Sequence, residues 1–162
     1  MHILLLGATG QIGYSLARAL AQTSHQLSVL VRDRSKRLFP QTVKVLESRS
    51  LDAQALRQAL SGIDHVIYSV GLPEQYVPES GVFERVNLDL LKTFLAEMAR
   101  TDASALTYIS TYEVFQAIDG VIRESHPVAG EAGFSAYFRS MIRAYCLVTD
   151  FAARHDMRLV TV

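Results

Sequence analysis

The sequence predicts an α/β protein in which a doubly wound parallel sheet is covered by helices on both faces. Three observations predict this class. Short apolar runs typical of buried strands alternate with helical patterns, the connections between them are short, and a glycine-rich turn joins the first strand to the first helix. Parallel strands joined through helices require right-handed crossovers, which place helices on both faces of one sheet. We therefore expect three layers, with a ligand crevice at the carboxyl ends of the strands.

The first strand and the glycine turn lie at the start of the chain. Residues 3–6 are four consecutive aliphatic residues, which is typical of a strand buried on both faces. Gly7 then allows a tight turn, Gly10 allows the backbone to approach a ligand, and Gly13 allows the helix to pack closely on the strand. Free amides at a helix start carry a partial positive charge, so a pyrophosphate suits this site. For the glycines taken alone, a turn that only reverses the chain is the alternative.

A second strand is predicted over residues 26–31, and a basic segment follows it at once. In a dinucleotide-binding unit the residue at this strand end faces the adenosine ribose, where a carboxylate selects NAD and basic residues accept the 2′-phosphate of NADP. Arg32 occupies that edge, with Arg34 and Lys36 nearby, so the sequence favours NADP(H) over NAD(H). A solvated basic turn is the alternative, and Asp33 would reach a ribose hydroxyl if the register differed by one residue.

The remaining elements follow from the same patterns. Strands are predicted over residues 43–46, 65–70, 106–110 and 157–162, and helices over 51–60, about 80–100 and about 135–155. The irregular segment 112–133 is long for a compact domain, and such segments usually carry function. We expect one domain over residues 1–162. Because the last strand has a central character, we also expect this domain to be the N-terminal part of a longer protein whose C-terminal substrate-binding part is absent.

Composition and charge exclude several classes of protein. The chain has 162 residues, of which 49% are apolar, and this is ample for a core. Sixteen basic and sixteen acidic residues give a formal net charge of zero, so no global field attracts nucleic acid or an anionic membrane. Neither a signal-peptide pattern nor an apolar stretch of about 18 residues is present. We expect a cytoplasmic protein with a small-molecule substrate.

Cysteine and histidine suggest neither a disulfide framework nor a metal site. Cys146 is the single cysteine, so an intramolecular disulfide is excluded. The histidines are scattered along the chain, without the paired cysteine or carboxylate spacing of a metal-binding motif. No metal ligand is therefore predicted.

A set of residues distributed along the whole chain forms a recognisable pattern. Its members are Gly7, Gly10, Gly13, Asp52, Gly71, Val86, Asn87, Tyr108, Ile109, Ser110, Thr111, Val114, Phe115, Glu124, Pro127 and Tyr137. With this pattern the chain resembles the extended and atypical branch of the short-chain dehydrogenase/reductase superfamily, the NAD(P)-dependent epimerase/dehydratase-like proteins. The resemblance implies a Rossmann fold with strand order 3-2-1-4-5-6. It also implies a homodimer that forms through the helices 80–100 and 135–155.

The resemblance further implies a set of catalytic residues. Thr111 lies where the family's hydroxyl orients the substrate carbonyl, Tyr137 where its phenol exchanges a proton during hydride transfer, and Asn87 matches a supporting asparagine. The family lysine four residues after the tyrosine is replaced by Met141. Residues four apart share a helix face, and a phenol with a pKa near ~10 and no cation beside it is mostly a neutral donor at neutral pH.

Two functions stay open at this point. One is an NADP(H)-binding oxidoreductase or epimerase that acts on a carbonyl or sugar-nucleotide-like substrate with an incomplete catalytic set. The other is a non-catalytic NADP(H)-binding protein with a redox-sensing or regulatory role. The candidate cofactor-binding residues are Gly7, Thr9, Gly10, Gln11, Ile12, Gly13, Arg32, Arg34, Lys36, Asp52 and Gly71, and the candidate catalytic residues are Thr111 and Tyr137, supported by Asn87.

Overall fold

A computed structural model of the chain describes residues 1–73 and 80–162. The strands are β1 (His2–Leu6), β2 (Gln26–Val31), β3 (Val43–Glu47), β4 (His65–Tyr68), β5 (Ala105–Tyr108) and β6 (Arg158–Thr161). The helices are α1 (Gln11–Leu20), α2 (Ala53–Leu60), α3 (Ser80–Phe83), α4 (Leu90–Met98) and α5 (Ala136–Arg154), and a π-helical segment (Glu84–Asp89) joins α3 to α4. Short 3₁₀ turns lie at Arg34–Lys36 and Tyr112–Val114.

The strands form one parallel sheet in the order β3-β2-β1-β4-β5-β6. The predicted fold class and strand order are therefore confirmed. After β3, at one edge, the chain returns to the centre and adds β4 on the other side of β1. The connections that leave the carboxyl ends of β1 and β4 consequently diverge, and this divergence opens a crevice between them.

The sheet is buried on both faces because side chains alternate along each strand. Leu4 and Leu6 join a core cluster that includes Phe94 of α4, whereas Ile3 and Leu5 join a second cluster on the opposite face, against α1. All four aliphatic residues of β1 are at most 3% exposed. The apolar run at the start of the sequence thus corresponds to the central strand of the sheet.

Two elements differ from the sequence-based expectation. The single helix predicted over residues 80–100 is interrupted by the π-helical segment, which buries Asn87 and Leu88. The apolar content of the last strand suggests a central strand, but β6 lies at an edge of the sheet, as the strand order implied by the resemblance requires, and Val160 on it is 49% exposed. Apolar content alone does not distinguish an edge strand with one uncovered face from a central strand.

Candidate functional site

The glycine turn between β1 and α1 has the backbone geometry that its spacing predicts. Gly7 has a φ of +82°, a conformation that disfavours residues with a side chain, and a Cβ there would overlap the carbonyl of Ser69. A Cβ on Gly13 would overlap the carbonyl of Gly7. Gly10 is the N-cap residue of α1, and its N–H donates to the Gly7 carbonyl at 3.0 Å. The N-cap residue makes no side-chain capping bond, so within the described residues the first amides of α1 have no cap of that kind.

A cleft of about 440 Å³ lies at the carboxyl ends of β1, β4 and β5. It brings the start of α1 together with the segments that follow β4 and β5 and with two residues of α5. Its lining residues are Gly10, Gln11, Ile12, Ser69, Val70, Gly71, Leu72, Pro73, Ile109, Ser110, Tyr137 and Met141. Four predicted cofactor residues and one predicted catalytic residue therefore share this cleft, although they come from three distant parts of the sequence, residues 10–12, Gly71 and Tyr137.

Asn87 forms hydrogen bonds to two of the segments that line the cleft, the one after β4 and helix α5. Its Oδ1 accepts a hydrogen bond from the Leu72 N–H at 2.9 Å, and its Nδ2 donates to Ser140 Oγ at 3.0 Å. Ser140 Oγ in turn donates to the Tyr137 carbonyl at 2.6 Å. Both polar side chains are buried, and buried polar groups with satisfied hydrogen bonds hold their surroundings in one geometry. The supporting position of Asn87 thus results from contacts to the segment after β4 and to α5.

Tyr137 is half-buried and lies in an aromatic environment. Its ring meets the ring of Phe83 at 5.7 Å and that of Phe138 at 5.0 Å, both edge to face. Tyr108, in the strand behind the cleft, is buried, and this burial raises the pKa of its phenol, with a smaller contribution from Tyr137. The surroundings of Tyr137 that the structure describes are therefore largely apolar.

Met141, the residue at the position where the resemblance predicts a lysine, lines the cleft. It is 7% exposed, and its Sδ lies 3.9 Å from Asn87 Nδ2. The lysines of the chain are at positions 36, 44 and 92, on the basic turn, β3 and α4, and none of them lines the cleft. A thioether packs well in such a position but carries no charge.

The two nearest arginines of α5 are engaged away from the cleft. Arg139 Nη1 donates to the Phe134 carbonyl. Arg143 pairs with Glu131 at 2.7 Å and with Glu84 at 2.9 Å, and its hydrogen bonds lower the pKa of Glu131. Neither guanidinium replaces the missing lysine.

The structure separates Thr111 from the cleft that contains Tyr137. Thr111 is the N-cap of the second 3₁₀ turn, and its hydroxyl donates to Glu113 Oε2 at 3.2 Å. It lines a neighbouring cavity of about 190 Å³ at the ends of β5 and β6, and among the described residues Ser110 alone lines both cavities. Ser110 Oγ is buried, and it has no hydrogen-bond partner among the described residues. Sequence reasoning did not select Ser110, although the Ser-Thr pair at the strand end was a signal for it.

The basic segment after β2 is shaped by Asp33. Its carboxylate caps the first 3₁₀ turn by accepting from the Ser35 N–H at 2.9 Å and from Ser35 Oγ at 2.7 Å, and these bonds lower the pKa of Asp33. Arg34 lies near Glu47, with 4.0 Å between Nε and Oε2. Arg32 is exposed directly after the strand. The Asp33 carboxylate therefore forms hydrogen bonds within its own turn, and the positive charge of Arg34 lies near the negative charge of Glu47.

Arg37 is a candidate residue that sequence reasoning missed. Its guanidinium lies over the ring of Tyr14, 4.9 Å from the ring centroid, and its Nε donates to the carbonyl of Thr9 at 3.4 Å. Arg37 therefore touches the glycine turn itself. Its position depends on a contact between residues 23 positions apart, which no local pattern indicates.

Two other predicted residues have defined structural surroundings. Asp52 caps α2 by accepting from the Ala55 N–H at 2.9 Å, and a hydrogen bond from Ser50 lowers the pKa of its carboxyl. Gly71 lines the cleft, close to Asn87. The cofactor contact predicted for Asp52 stays a prediction.

No helix within residues 1–73 and 80–162 is long and apolar enough to span a membrane. The same residues contain no group of three histidine, cysteine or acidic side chains that could hold a metal ion.

Comparisons with known proteins identify related sequences and folds. Residues 3–162 match the model of the NAD dependent epimerase/dehydratase family. A 3-diazoavenalumate denitrifying reductase from Streptomyces sp. is 41% identical over 61 residues, which are 38% of this chain and 19% of that protein.

Solved structures extend the likeness to the whole fold. A UDP-glucuronic acid 4-epimerase from Bacillus cereus in complex with NAD has a TM-score of 0.80 and 18% identity, over 99% of this chain and 55% of that one. A short-chain dehydrogenase/reductase superfamily protein from Agrobacterium tumefaciens with bound NAD has a TM-score of 0.81 and 20% identity, over 99% and 48%. The chain therefore spans about half the length of these solved relatives.

Proposed function

The chain belongs to the NAD dependent epimerase/dehydratase family, within the short-chain dehydrogenase/reductase superfamily, and from this premise we propose its function. It is an NADP(H)-binding oxidoreductase-like or epimerase-like protein that acts on a carbonyl or sugar-nucleotide-like substrate. The observation that carries the proposal is the 440 Å³ cleft, in which the glycine turn and Tyr137 lie together. The two solved relatives described above are bound to NAD, which supports a nicotinamide dinucleotide as the cofactor.

The residues around the glycine turn fit the pyrophosphate of such a cofactor. The first amides of α1 have no side-chain cap, and the helix dipole adds a partial positive charge at that end. Side chains at Gly7 and Gly13 would collide with backbone carbonyls. The two glycines therefore allow a tight turn, and no side chain at these positions stands between the backbone and a ligand. When bound, the dinucleotide would supply or accept a hydride. Gly10, Gln11 and Ile12 would hold its phosphates.

The preference for NADP(H) is supported by the residues at the end of β2. Asp33, the carboxylate nearest to Arg32, caps its own turn through Oδ1, which accepts both hydrogen bonds from Ser35. Arg32 is exposed at the strand end, where a 2′-phosphate would lie. A guanidinium forms forked hydrogen bonds with a phosphate. We therefore propose NADP(H) for this chain, although the two solved relatives contain NAD.

A titration with NADPH and NADH tests the cofactor and the role of Arg32. We expect the wild type to bind NADPH at least about tenfold more tightly, since a charge-assisted pair contributes roughly 1.5–3 kcal/mol. Arg32→Ala should lose this preference while NADH binding is unchanged. Arg100→Ala, which removes an exposed arginine at the far end of α4, is the matched control. Equal affinity of the wild type for both cofactors would refute the NADP(H) assignment.

In the proposed reaction, Tyr137 exchanges a proton with the substrate oxygen, and a hydroxyl from Thr111 or Ser110 orients that oxygen. Asn87 and Ser140 fix the start of α5, and therefore the backbone of Tyr137. We expect NADPH oxidation with a carbonyl substrate to fall at least about a hundredfold in Tyr137→Phe, the scale of general acid catalysis. NADPH affinity should be unchanged. Turnover that survives in Tyr137→Phe would show that another group carries the proton.

A second candidate function is non-catalytic binding of NADP(H) in a redox-sensing or regulatory role. Met141 favours it, because the cleft has an apolar side chain where the family has its lysine. This alternative predicts tight cofactor binding, no turnover with any carbonyl substrate, and a protein partner whose binding depends on the oxidation state of the cofactor. A partner that binds equally with NADPH, NADP⁺ and no cofactor would contradict it.

We also propose that the chain forms a homodimer through α4 and α5. A groove of about 230 Å³ runs between these helices on the outer face; its apolar lining is Leu95, Ala96, Ala99, Leu147 and Phe151, and Lys92, Arg154 and His155 complete it. Ala96 and Ala99 are exposed, and small side chains allow a second helix pair to approach closely.

A further inference from the structure

The segment that follows the first 3₁₀ turn is attached to α1 through one side chain, that of Tyr14. The guanidinium of Arg37 lies 4.9 Å from the centroid of its ring. The Tyr14 hydroxyl donates to the Leu38 carbonyl at 3.0 Å, and its ring meets that of Phe39 edge to face at 5.8 Å. One half-buried tyrosine therefore holds three successive residues by three different kinds of contact.

These contacts leave Arg37 able to bind an anion. Its Nε donates to the carbonyl of Thr9. Among the residues that the structure describes, no carboxylate pairs with Arg37, whereas Arg34 lies beside Glu47. Its two terminal nitrogens likewise make no hydrogen bond within the described chain. A guanidinium that is fixed at Nε and open at its terminal nitrogens has the forked geometry that suits a phosphate.

Arg37 and Arg32 lie at neighbouring strand ends. Arg32 directly follows β2, and Arg37 contacts the turn that follows β1, and these two parallel strands are paired along their length. The carboxyl ends of paired parallel strands meet at the same edge of the sheet. Both guanidinium groups are therefore carried to the edge at which the glycine turn opens.

We propose that Tyr14 is a positioning residue for cofactor selection. It holds Arg37 against the glycine turn, where Arg37 and Arg32 together bind the 2′-phosphate that distinguishes NADP(H) from NAD(H). The proposal rests on the NADP(H) binding proposed above. Tyr14 acts through Arg37, because a guanidinium stacked on an aromatic face is restricted in the directions that its nitrogens take.

A purely structural role for Tyr14 makes a different prediction. If the tyrosine only packed the segment 37–39 against α1, its loss would weaken NADPH and NADH binding alike, or would lower thermal stability without changing cofactor preference. If it positions Arg37, its loss affects only ligands that carry the 2′-phosphate. The ratio of the two affinities therefore separates the two roles.

The test compares Tyr14→Leu, Tyr14→Phe, Arg37→Ala and the double variant Tyr14→Leu/Arg37→Ala. The dissociation constants of NADPH, NADH and adenosine 2′,5′-bisphosphate are measured for each variant, with circular dichroism to check the fold. For Tyr14→Leu we expect NADPH and the bisphosphate to bind about three- to fivefold more weakly, the scale of an exposed cation–π contact, and NADH to bind as before. Tyr14→Phe, which keeps the ring, should retain most of the preference.

The double variant shows whether the tyrosine acts through the arginine. Once Arg37 is absent, Tyr14→Leu should cause no further loss of NADPH affinity. An unchanged NADPH to NADH ratio in folded Tyr14→Leu overturns the proposal, and so does an equal loss for both cofactors. If Tyr14→Leu does not fold, the test is made with Arg37→Ala, because this substitution removes only an exposed side chain. An unchanged ratio of NADPH to NADH affinity in Arg37→Ala overturns the proposal as well.

The same measurements distinguish this proposal from the proposed function. A wild type without preference for NADPH refutes both. A wild type that prefers NADPH, and that loses the preference in Arg32→Ala but keeps it in Tyr14→Leu and Arg37→Ala, refutes only the positioning role.

Discussion

At the scale of single residues, a substitution at Met141 is expected to distinguish the proposed catalytic function from cofactor binding alone. Met141→Lys places a cation four residues after Tyr137, on the same face of α5, and a nearby cation lowers the pKa of a phenol. If the remaining groups are competent, we expect NADPH oxidation to rise at least about tenfold, within the range of general acid–base catalysis. The measurement is initial rate against pH with a panel of carbonyl substrates.

Met141→Leu is the matched control, because it conserves volume and adds no charge. It should leave both cofactor binding and turnover unchanged. If Met141→Lys folds, binds NADPH and shows no gain in rate, the non-catalytic function is favoured.

The candidate residues that were predictable from the sequence are those whose role is local. The conformational demands on Gly7 and Gly13 follow from the spacing of the turn, and the structure bears them out. Arg37 was missed because its position is set by Tyr14 on another element. Ser110 was missed because only the three-dimensional structure shows that this residue lines the cleft of Tyr137, whereas Thr111 lines the neighbouring cavity.

At the scale of elements, α2 and α4 are joined by an ion pair that the amphipathic pattern does not reveal. Arg57 donates two parallel hydrogen bonds to Glu97, at 2.8 and 3.1 Å, and Glu97 is only 5% exposed. The sequence presents Glu97 simply as one acidic residue in an apolar helix. Since the buried carboxylate is matched by a guanidinium with favourable geometry, this pair sets how the two helices pack.

We expect Glu97→Gln to lower the midpoint of thermal unfolding at neutral pH by several degrees. The hydrogen bonds and charge of Arg57 hold the pKa of Glu97 below its usual range. The pair therefore contributes stability above the unfolded-state pKa of about 4.3, and loses it as the pH falls through the lower folded-state value.

The difference in midpoint between wild type and Glu97→Gln should accordingly narrow below about pH 4, and thermal scans across the pH range measure it. The two proteins differ at one residue, so the other carboxylates titrate in both. Their effect on the unfolding midpoint therefore cancels when the two midpoints are subtracted. A difference that stays constant down to about pH 3 would mean that the charge of Glu97 contributes nothing.

The π-helical segment is the element that sequence patterns were least able to predict. Its apolar residues continue the spacing of the flanking helices, so the pattern indicated one continuous helix. The changed hydrogen bonding becomes understandable only with Asn87, which is buried within the segment and bonded to Leu72 and Ser140. Such interruptions occur frequently at functional sites, where a side chain must be directed to a place that a regular helix does not reach.

At the scale of the whole molecule, the architecture was predictable because it depends on repeated and redundant signals. Alternating strands and helices with short connections leave a parallel doubly wound sheet as the consistent arrangement, and the resemblance supplied the strand order that the structure confirms. The edge position of β6 was not predictable from apolar content. The position of β6 is set by its neighbours in the sheet, since it pairs with β5 on one side only.

The assembly of the molecule gives the last prediction. Ala96 on α4 and Ala99 at its C-cap are exposed beside the half-buried Leu147 of α5, and these small side chains form an apolar strip in a groove whose ends carry Lys92, Arg154 and His155. If a second copy packs there, sedimentation at micromolar concentration should give twice the chain mass of 18.0 kDa. Ala96→Arg places a long charged side chain in the contact and should shift the mass to that of the monomer.

Gln58→Arg is the matched control for this experiment, because it adds the same side chain to an exposed position of another helix, α2. It should remain dimeric. If the wild type sediments with the monomer mass of 18.0 kDa, the homodimer proposal is refuted. If Ala96→Arg is still dimeric, the dimer interface lies on another face of the protein. In the expected case NADPH affinity is unchanged by Ala96→Arg, because the groove between α4 and α5 shares no residue with the cleft beside the glycine turn.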